Sequence, residues 1–369
     1  MKFLKYYLGT GATASILLYY NRDNIANKYV IPKLYKCDPE RAHNIAINLL
    51  ALGIKPNIKI YQNDTLNVNL WNRQFGNPVG LAAGFDKNAR AYQTLNEIGF
   101  GFIEVGTVTP LPQKGNPKPR IFRFDNYIKN RCGLNNDGLE KIIPRLKLTP
   151  NNILGVSLGI NENTENIIDE FNTSVCKVND CSDYIVLNIS CPNIAHNLQN
   201  DYNLIDKIVE KSRTNSIKPL LIKISSDIEY NDLKQIAKIS IDHNLDGIII
   251  GNTKKCLEGG LSGMPIKDIS NKAVRDFYYL TNGKIPIIGV GGIFTGKDAY
   301  QRIKDGASLV QIYSSFIFNG PEVVNDINQE LNELLQKDGY SNIQDVVGAN
   351  HTYYKYLFDY LNYHKKKIF

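Results

Sequence analysis

Residues 187–193 read LNISCPN: an apolar run stops on Asn188, and Ser190, Cys191, Pro192 and Asn193 follow almost at once. Polar atoms are costly to bury without partners. The stretch is therefore either a strand end with a Pro-capped turn, or a place where a bound ligand supplies those partners. A thiol, with a reference pKa near 8.5, is a more accessible base than a serine hydroxyl. The amides Asn130, Asn135, Asn188, Asn193 and Asn252 carry donor and acceptor functions together. They could read the alternating donors and acceptors of a planar imide. Asparagine is abundant along the whole chain, so only those at strand ends or in turns beside other polar groups count toward a site.

Lys223, inside LLIKIS, is a second chemical signal, because lysine is rarely buried without a partner. It is either a salt-bridged core lysine or a fixed cation beside a cofactor ring that becomes anionic on reduction, as a flavin does. The third signal is GVGGIFTGKD (289–298), where Gly291 to Lys297 fits G-x-x-x-x-G-K. A triphosphate-binding loop needs Ser or Thr next. Asp298 stands there instead and would repel phosphate. A glycine turn after a seventh strand, with Tyr313 and Ser314 after an eighth, matches the phosphate site of a barrel and suits a monophosphate.

These residues need a scaffold, and eight apolar runs supply it: 79–84, 102–107, 153–158, 184–189, 220–224, 247–251, 286–290 and 308–312. Each is continuous rather than alternating, as expected of parallel strands buried on both faces. Helix-period segments such as 231–243 and 296–306 lie between most of them. The pattern predicts an α/β fold, a (β/α)8 TIM barrel, in preference to an open doubly wound sheet. The gap at 108–152 exceeds a simple crossover and predicts inserted structure over the barrel mouth. Ahead of the barrel, PERAHNIAINLLALG (39–53) predicts a helix with Ala42, Ile45, Ala46, Leu49 and Leu50 on one face. Pro39 suits its first turn and Gly53 its end.

The chain has 369 residues and a formal charge of +7, which favours anionic ligands or anionic membrane surfaces. No basic, aromatic-interleaved stripe points to nucleic acid. Cys37, Cys132, Cys176, Cys181, Cys191 and Cys256 show no C-x-x-C, and no H-E-x-x-H occurs, so no protein-held metal is expected. Residues 1–23 carry Lys2 and Lys5 before an uncharged stretch from Tyr6 to Tyr20. That is short for a bilayer span of about 20 residues, and it fits a targeting or anchoring segment in contact with membrane lipid. The domain reading is thus 1–23 anchor, 24–70 helical extension and 71–369 barrel. The extension is either a packing element or a lipid-facing entrance.

Several long motifs in order resemble the dihydroorotate dehydrogenases of the membrane-associated, quinone-reducing class. They are NPVGLAAGFDKN (77–88), GFIEVGTVTPLPQKGNPKPRIFR (101–123), NRCGLNNDG (130–138), GGLSGMPIKDIS (259–270) and PIIGVGGIFTGKDA (286–299). The resemblance runs from about residue 28 to residue 350. It implies oxidation of (S)-dihydroorotate to orotate in pyrimidine biosynthesis, with FMN as cofactor and a quinone as acceptor. FMN would be held by Ala82, Ala83, Gly84, Thr107, Asn161, Asn188, Lys223, Ser262, Gly263, Gly292, Tyr313 and Ser314. Substrate would meet Lys87, Asn130, Asn135, Asn188, Asn193, Asn252 and Thr253, with Cys191 as catalytic base and Lys223 stabilising reduced flavin. His43 and Arg123 would lie at the inner end of a quinone entrance formed by 24–70. The chain departs from the class at Cys191, where Ser is usual, at Ile194, where Thr is usual, and at Gly251, where Thr is common. The implied location is the mitochondrial inner membrane in a eukaryote and the cytoplasmic membrane otherwise. Two other readings stand beside this one: a flavin barrel oxidoreductase with a soluble acceptor, and a membrane-tethered FMN-binding protein without turnover.

Overall fold

A computed structural model describes residues 36–149, 152–190, 198–257 and 259–351. The expected anchor (1–23), the first part of the extension, and Cys191, Asn193 and Ile194 lie outside the described residues.

All eight apolar runs form strands: β1 (Val79–Leu81), β2 (Phe102–Val108), β3 (Leu154–Leu158), β4 (Tyr184–Asn188), β5 (Leu220–Ile224), β6 (Gly247–Ile250), β7 (Ile287–Val290) and β8 (Leu309–Ile312). They pair in parallel in chain order, and β8 returns to β1 with Val310 opposite Val79 and Gln311 opposite Gly80. The barrel is closed, as predicted. Every residue of these strands is buried, which is why none of the runs alternates.

A short hairpin, Val68–Leu70 with Arg73–Phe75, precedes β1. Its turn residue Trp71 donates its indole N–H to the carbonyl of Asp246, just before β6, at 2.8 Å. Trp71 also packs edge-on against Phe75 and at a tilt against Tyr184. This hairpin straddles residue 70, so the extension and the barrel share one element.

The 108–152 insertion carries two strands, Ile121–Arg123 and Tyr127–Asn130. They join Gly259–Gly263 and Lys254–Cys256 in a four-stranded antiparallel sheet. The segment after β6 therefore pairs with the segment after β2, a partnership the linear pattern did not suggest.

The helix Pro39–Ala51 forms as expected, with Asp38 accepting from the Arg41 N–H at 2.9 Å as its N-cap. Its buried residues are Ala42, Ile47 and Leu50. Ile45, Ala46 and Leu49 are only half-buried, which corrects the predicted face. The helix is apolar on more than one side, and tertiary contact chose Ile47. Glu40 clamps it to the inserted sheet through paired bonds to Arg120 at 2.7 and 3.2 Å. Among the described residues, no helix is long and apolar enough to cross a membrane.

Candidate active site

The C-terminal ends of the strands and the inserted sheet enclose a cavity of about 190 Å3. It collects Ala82, Ala83 and Gly84 from just after β1, Thr107 from β2, Asn188 from β4 and Lys223 from β5. Asn252 and Thr253 follow β6, Gly292 follows β7, and Tyr313 and Ser314 follow β8. Lys87, Asn130, Asn135, Ser262, Gly263 and His43 also face it. The structure places nearly all of the described expected site residues on this one cavity.

Two expected residues stand apart from this lining. Asn161 accepts from the Leu111 N–H at 2.9 Å, and its amide nitrogen reaches Leu111 O and Gln113 Oε1 at 3.0 and 3.2 Å. It braces the loop after β2 instead of facing the cavity. Arg123 ends its strand in the inserted sheet and lines neither this cavity nor a smaller one beside it.

One wall is a chain of hydrogen-bonded side chains. Asn188 Nδ2 donates to Thr107 Oγ1 at 2.8 Å, and the Thr107 and Ser157 hydroxyls lie 2.9 Å apart. Asn252 Nδ2 reaches Ser190 Oγ at 3.0 Å and Asn188 Oδ1 at 3.3 Å. The amides hold one another in fixed orientations, so their remaining functions are presented to a ligand without reorganisation. Thr253 follows with its N–H on Asn252 Oδ1 at 2.9 Å.

The floor is ionic. Lys223 Nζ lies 3.2 Å from Oε1 of Glu104, whose side chain is completely buried. The plainer expectation for Lys223, a salt-bridged core lysine, is thus half right: the pair exists, and Lys223 also faces the cavity. Gln311, also at the cavity wall, donates to Glu104 Oε2 at 2.7 Å.

Lys87 offers a second cation. Its Nζ donates to the carbonyl of Gly84 at 2.5 Å. With Lys223 paired to Glu104, Lys87 is the cation of this lining that favours an anionic occupant.

The glycine turn lies on the far side. Gly291 and Gly292 adopt φ of +104° and +71°, and a Cβ on Gly292 would come 2.5 Å from the Lys267 Cα. Behind the turn, Arg302 is almost wholly buried. It donates to Val290 O at 3.0 Å, Gly291 O at 2.7 Å and Asn271 Oδ1 at 2.5 Å. Burial lowers its pKa to about 10, against the pull of Asp305 and Asp298. With those carbonyls held from behind, the turn is fixed in shape. Asp298 caps the following helix with Thr295 and pairs with Lys267, so it is committed elsewhere. Ser314 and Ser262 face each other at 3.1 Å at the same end.

Gly251 sits at φ +131°, and a Cβ there would lie 2.2 Å from the carbonyl oxygen of Val290. A side chain there would be strained unless Val290 shifted.

The smaller cavity, about 70 Å3, lies under the Pro39–Ala51 helix and shares His43, Lys87, Ile121, Cys132 and Asn135 with the larger one. His43 packs edge-on against Phe85 at 5.1 Å. Burial, aided by the Lys87 charge, lowers its pKa to about 3. Cys132, whose thiol burial pushes up, was not singled out as a site residue. Nor were Glu104, Gln311 and Arg302, which lie inside strand or helix patterns and look like scaffold.

Of the buried polar atoms without a hydrogen-bond partner among the described residues, two amide oxygens, Asn135 Oδ1 and Gln311 Oε1, belong to residues that line the cavity. Such atoms call for a ligand with N–H donors. A flavin carrying one phosphate would fit part of this set, with Lys223 available to the ring and the glycine turn and serines to the phosphate, and a second ligand with N–H donors would meet Asn135.

The model of the family "Dihydroorotate dehydrogenase" matches residues 65–335. The chain is 40% identical over 343 residues to a "Dihydroorotate dehydrogenase (quinone)" of Rhodospirillum rubrum, covering 87% of this chain and 93% of that one. It is 38% identical over 360 residues to the mitochondrial "Dihydroorotate dehydrogenase (quinone)" of Mus musculus, covering 89% and 91%. A crystal structure of DHODH from Eimeria tenella in complex with ferulenol superposes with a TM-score of 0.81 at 37% identity, covering 86% of this chain and 98% of that one.

Proposed function

The chain belongs to the dihydroorotate dehydrogenase family, and we propose that it oxidises (S)-dihydroorotate to orotate with FMN as cofactor and a quinone as final acceptor. The observation that carries this reading is the convergence of two lysines and a braced amide wall on one cavity with orphan acceptors. Held there, FMN would supply the two-electron redox chemistry that links substrate to quinone.

The chain's own residues do the rest. Lys87 pairs its ammonium with the substrate carboxylate, a charge-assisted contact that fixes one end of the ring. Asn130, Asn135, Asn188, Asn193, Asn252 and Thr253 read the ring's donors and acceptors. Cys191 follows Asn188 and Ser190 at the end of β4 and removes the ring proton. Lys223 places positive charge where negative charge develops on reduction. Gly292, Ser262, Gly263 and Ser314 hold the phosphate.

The Pro39–Ala51 helix, the smaller cavity and His43 form the inner end of the quinone path. His43 serves there as a neutral imidazole. The N-terminal segment brings this entrance to membrane lipid, at the mitochondrial inner membrane in a eukaryote.

The purified protein should be yellow and bleach on addition of dihydroorotate. Reoxidation by a quinone but not by fumarate selects the quinone reading over a soluble acceptor. Cys191→Ala should slow bleaching by a factor on the order of 10²–10⁴, as expected for a lost general base, with FMN content retained. A yellow protein that dihydroorotate never bleaches would leave only a binding module.

A further inference from the structure

We propose that Glu104 is a positioning residue for the floor of the site, holding the Lys223 ammonium and setting which end of the Gln311 amide is left for a ligand. Glu104 lies in the middle of β2, and its carboxylate has three partners drawn from three other strands. They are Lys223 of β5 at 3.2 Å, Gln311 of β8 at 2.7 Å and Tyr184 of β4 at 3.4 Å. All four side chains are buried. Burial holds the Tyr184 phenol well above its usual pKa, so it stays a donor toward the carboxylate.

An ionised carboxylate only accepts hydrogen bonds. The Gln311 amide must therefore turn its nitrogen toward Glu104, and its oxygen is left over. That oxygen is the buried atom with no partner among the described residues, in a residue that lines the cavity. Glu104 thus converts an ambiguous amide into a fixed acceptor. It also offsets the charge of Lys223, which faces the same cavity. The net field at the floor is that of an ion pair instead of a bare cation, and this sets how strongly reduction of a bound ring is favoured.

This inference rests on the flavin reading. A yellow wild type that dihydroorotate bleaches secures that reading first, and a colourless one ends it without bearing on Glu104. The test is the equilibrium midpoint potential of the bound flavin in the holoprotein. Glu104→Gln removes the negative charge at nearly constant shape. The reduced-to-oxidised equilibrium constant should rise at least tenfold, about 30 mV for a two-electron couple. In a Lys223→Met background the same substitution should change it by a clearly smaller factor, because no ammonium is left for Glu104 to hold. An unchanged potential in Glu104→Gln, or an equal shift with and without Lys223, overturns the proposal.

Where Glu104→Gln does not accumulate as folded protein, Glu104→Asp draws the carboxylate back by one methylene, and a shift of the same sign is required. Gln311→Met tests the acceptor separately. Apoprotein carrying it should bind FMN at least fivefold more weakly by fluorescence titration, and unchanged affinity removes Gln311 from the site.

Discussion

Replacing Arg302 with Met should loosen the glycine turn of the phosphate site without touching any ligand directly. The guanidinium makes three close bonds, to Val290 O, Gly291 O and Asn271 Oδ1. Hydrogen bonds to a charged group are worth about 1.5–3 kcal/mol each, so their loss removes roughly 4–9 kcal/mol. Against this stands the cost of burying the cation. Burial brings its pKa from 12.5 to about 10, which disfavours the charged form by about 3 kcal/mol. Methionine also fills much of the vacated space. The net destabilisation is about 3 kcal/mol, and at about 2 °C per kcal/mol for a domain of this size the apoprotein should melt about 6 °C lower. The turn that positions backbone N–H groups is what relaxes, so FMN affinity should fall roughly tenfold to a hundredfold. Calorimetry of the apoprotein and fluorescence titration with FMN read the two effects. An Arg302→Met apoprotein that melts within a degree of wild type and binds FMN equally would show that the turn holds its shape without the guanidinium.

Gly251→Thr should destabilise by about 2–5 kcal/mol in urea unfolding, through backbone strain and overpacking against Val290; an unchanged midpoint refutes the close approach. His43 has a native pKa near 3, below its ordinary 6.5, so the unfolded chain takes a proton that the native one refuses. Its contribution to stability is whole above pH 6.5 and is lost as pH falls toward 3, and His43→Asn should flatten that part of the stability profile. The quinone half-reaction should show no limb near pH 6.5 that His43→Asn abolishes. Glu40 is pushed up by burial, but Arg120 and Lys118 outweigh this and hold its pKa below 4.5. Glu40→Gln should speed hydrogen exchange in residues 39–51 and slow quinone reduction several-fold while sparing bleaching by dihydroorotate; equal loss of both half-reactions counts against an entrance role.

The barrel was legible in the sequence because parallel strands covered on both faces must be continuous apolar runs, and eight of them stand at the right intervals. The rim was legible for a related reason: the polar residues at Thr107, Asn188, Asn252 and Ser314 break those runs where strands end, and strand ends are where a barrel gathers its chemistry. Lys223 stood out because a lysine inside such a run demands a partner, yet nothing in the run says which. That partner, Glu104, is 119 residues away, and Gln311 is 207 residues from Glu104. Only closure of the barrel brings them together. The same holds for the inserted sheet, where Gly260 meets Asn130 across a pairing set by the shape of the barrel mouth. It holds for Asn161, which braces a loop where the family resemblance implied a ligand contact, and for Ile47, which packs where Ile45 was expected. Periodicity reports whether a side chain is buried. Which atoms it meets there depends on segments far apart in the chain, and the tertiary structure alone brings those into contact.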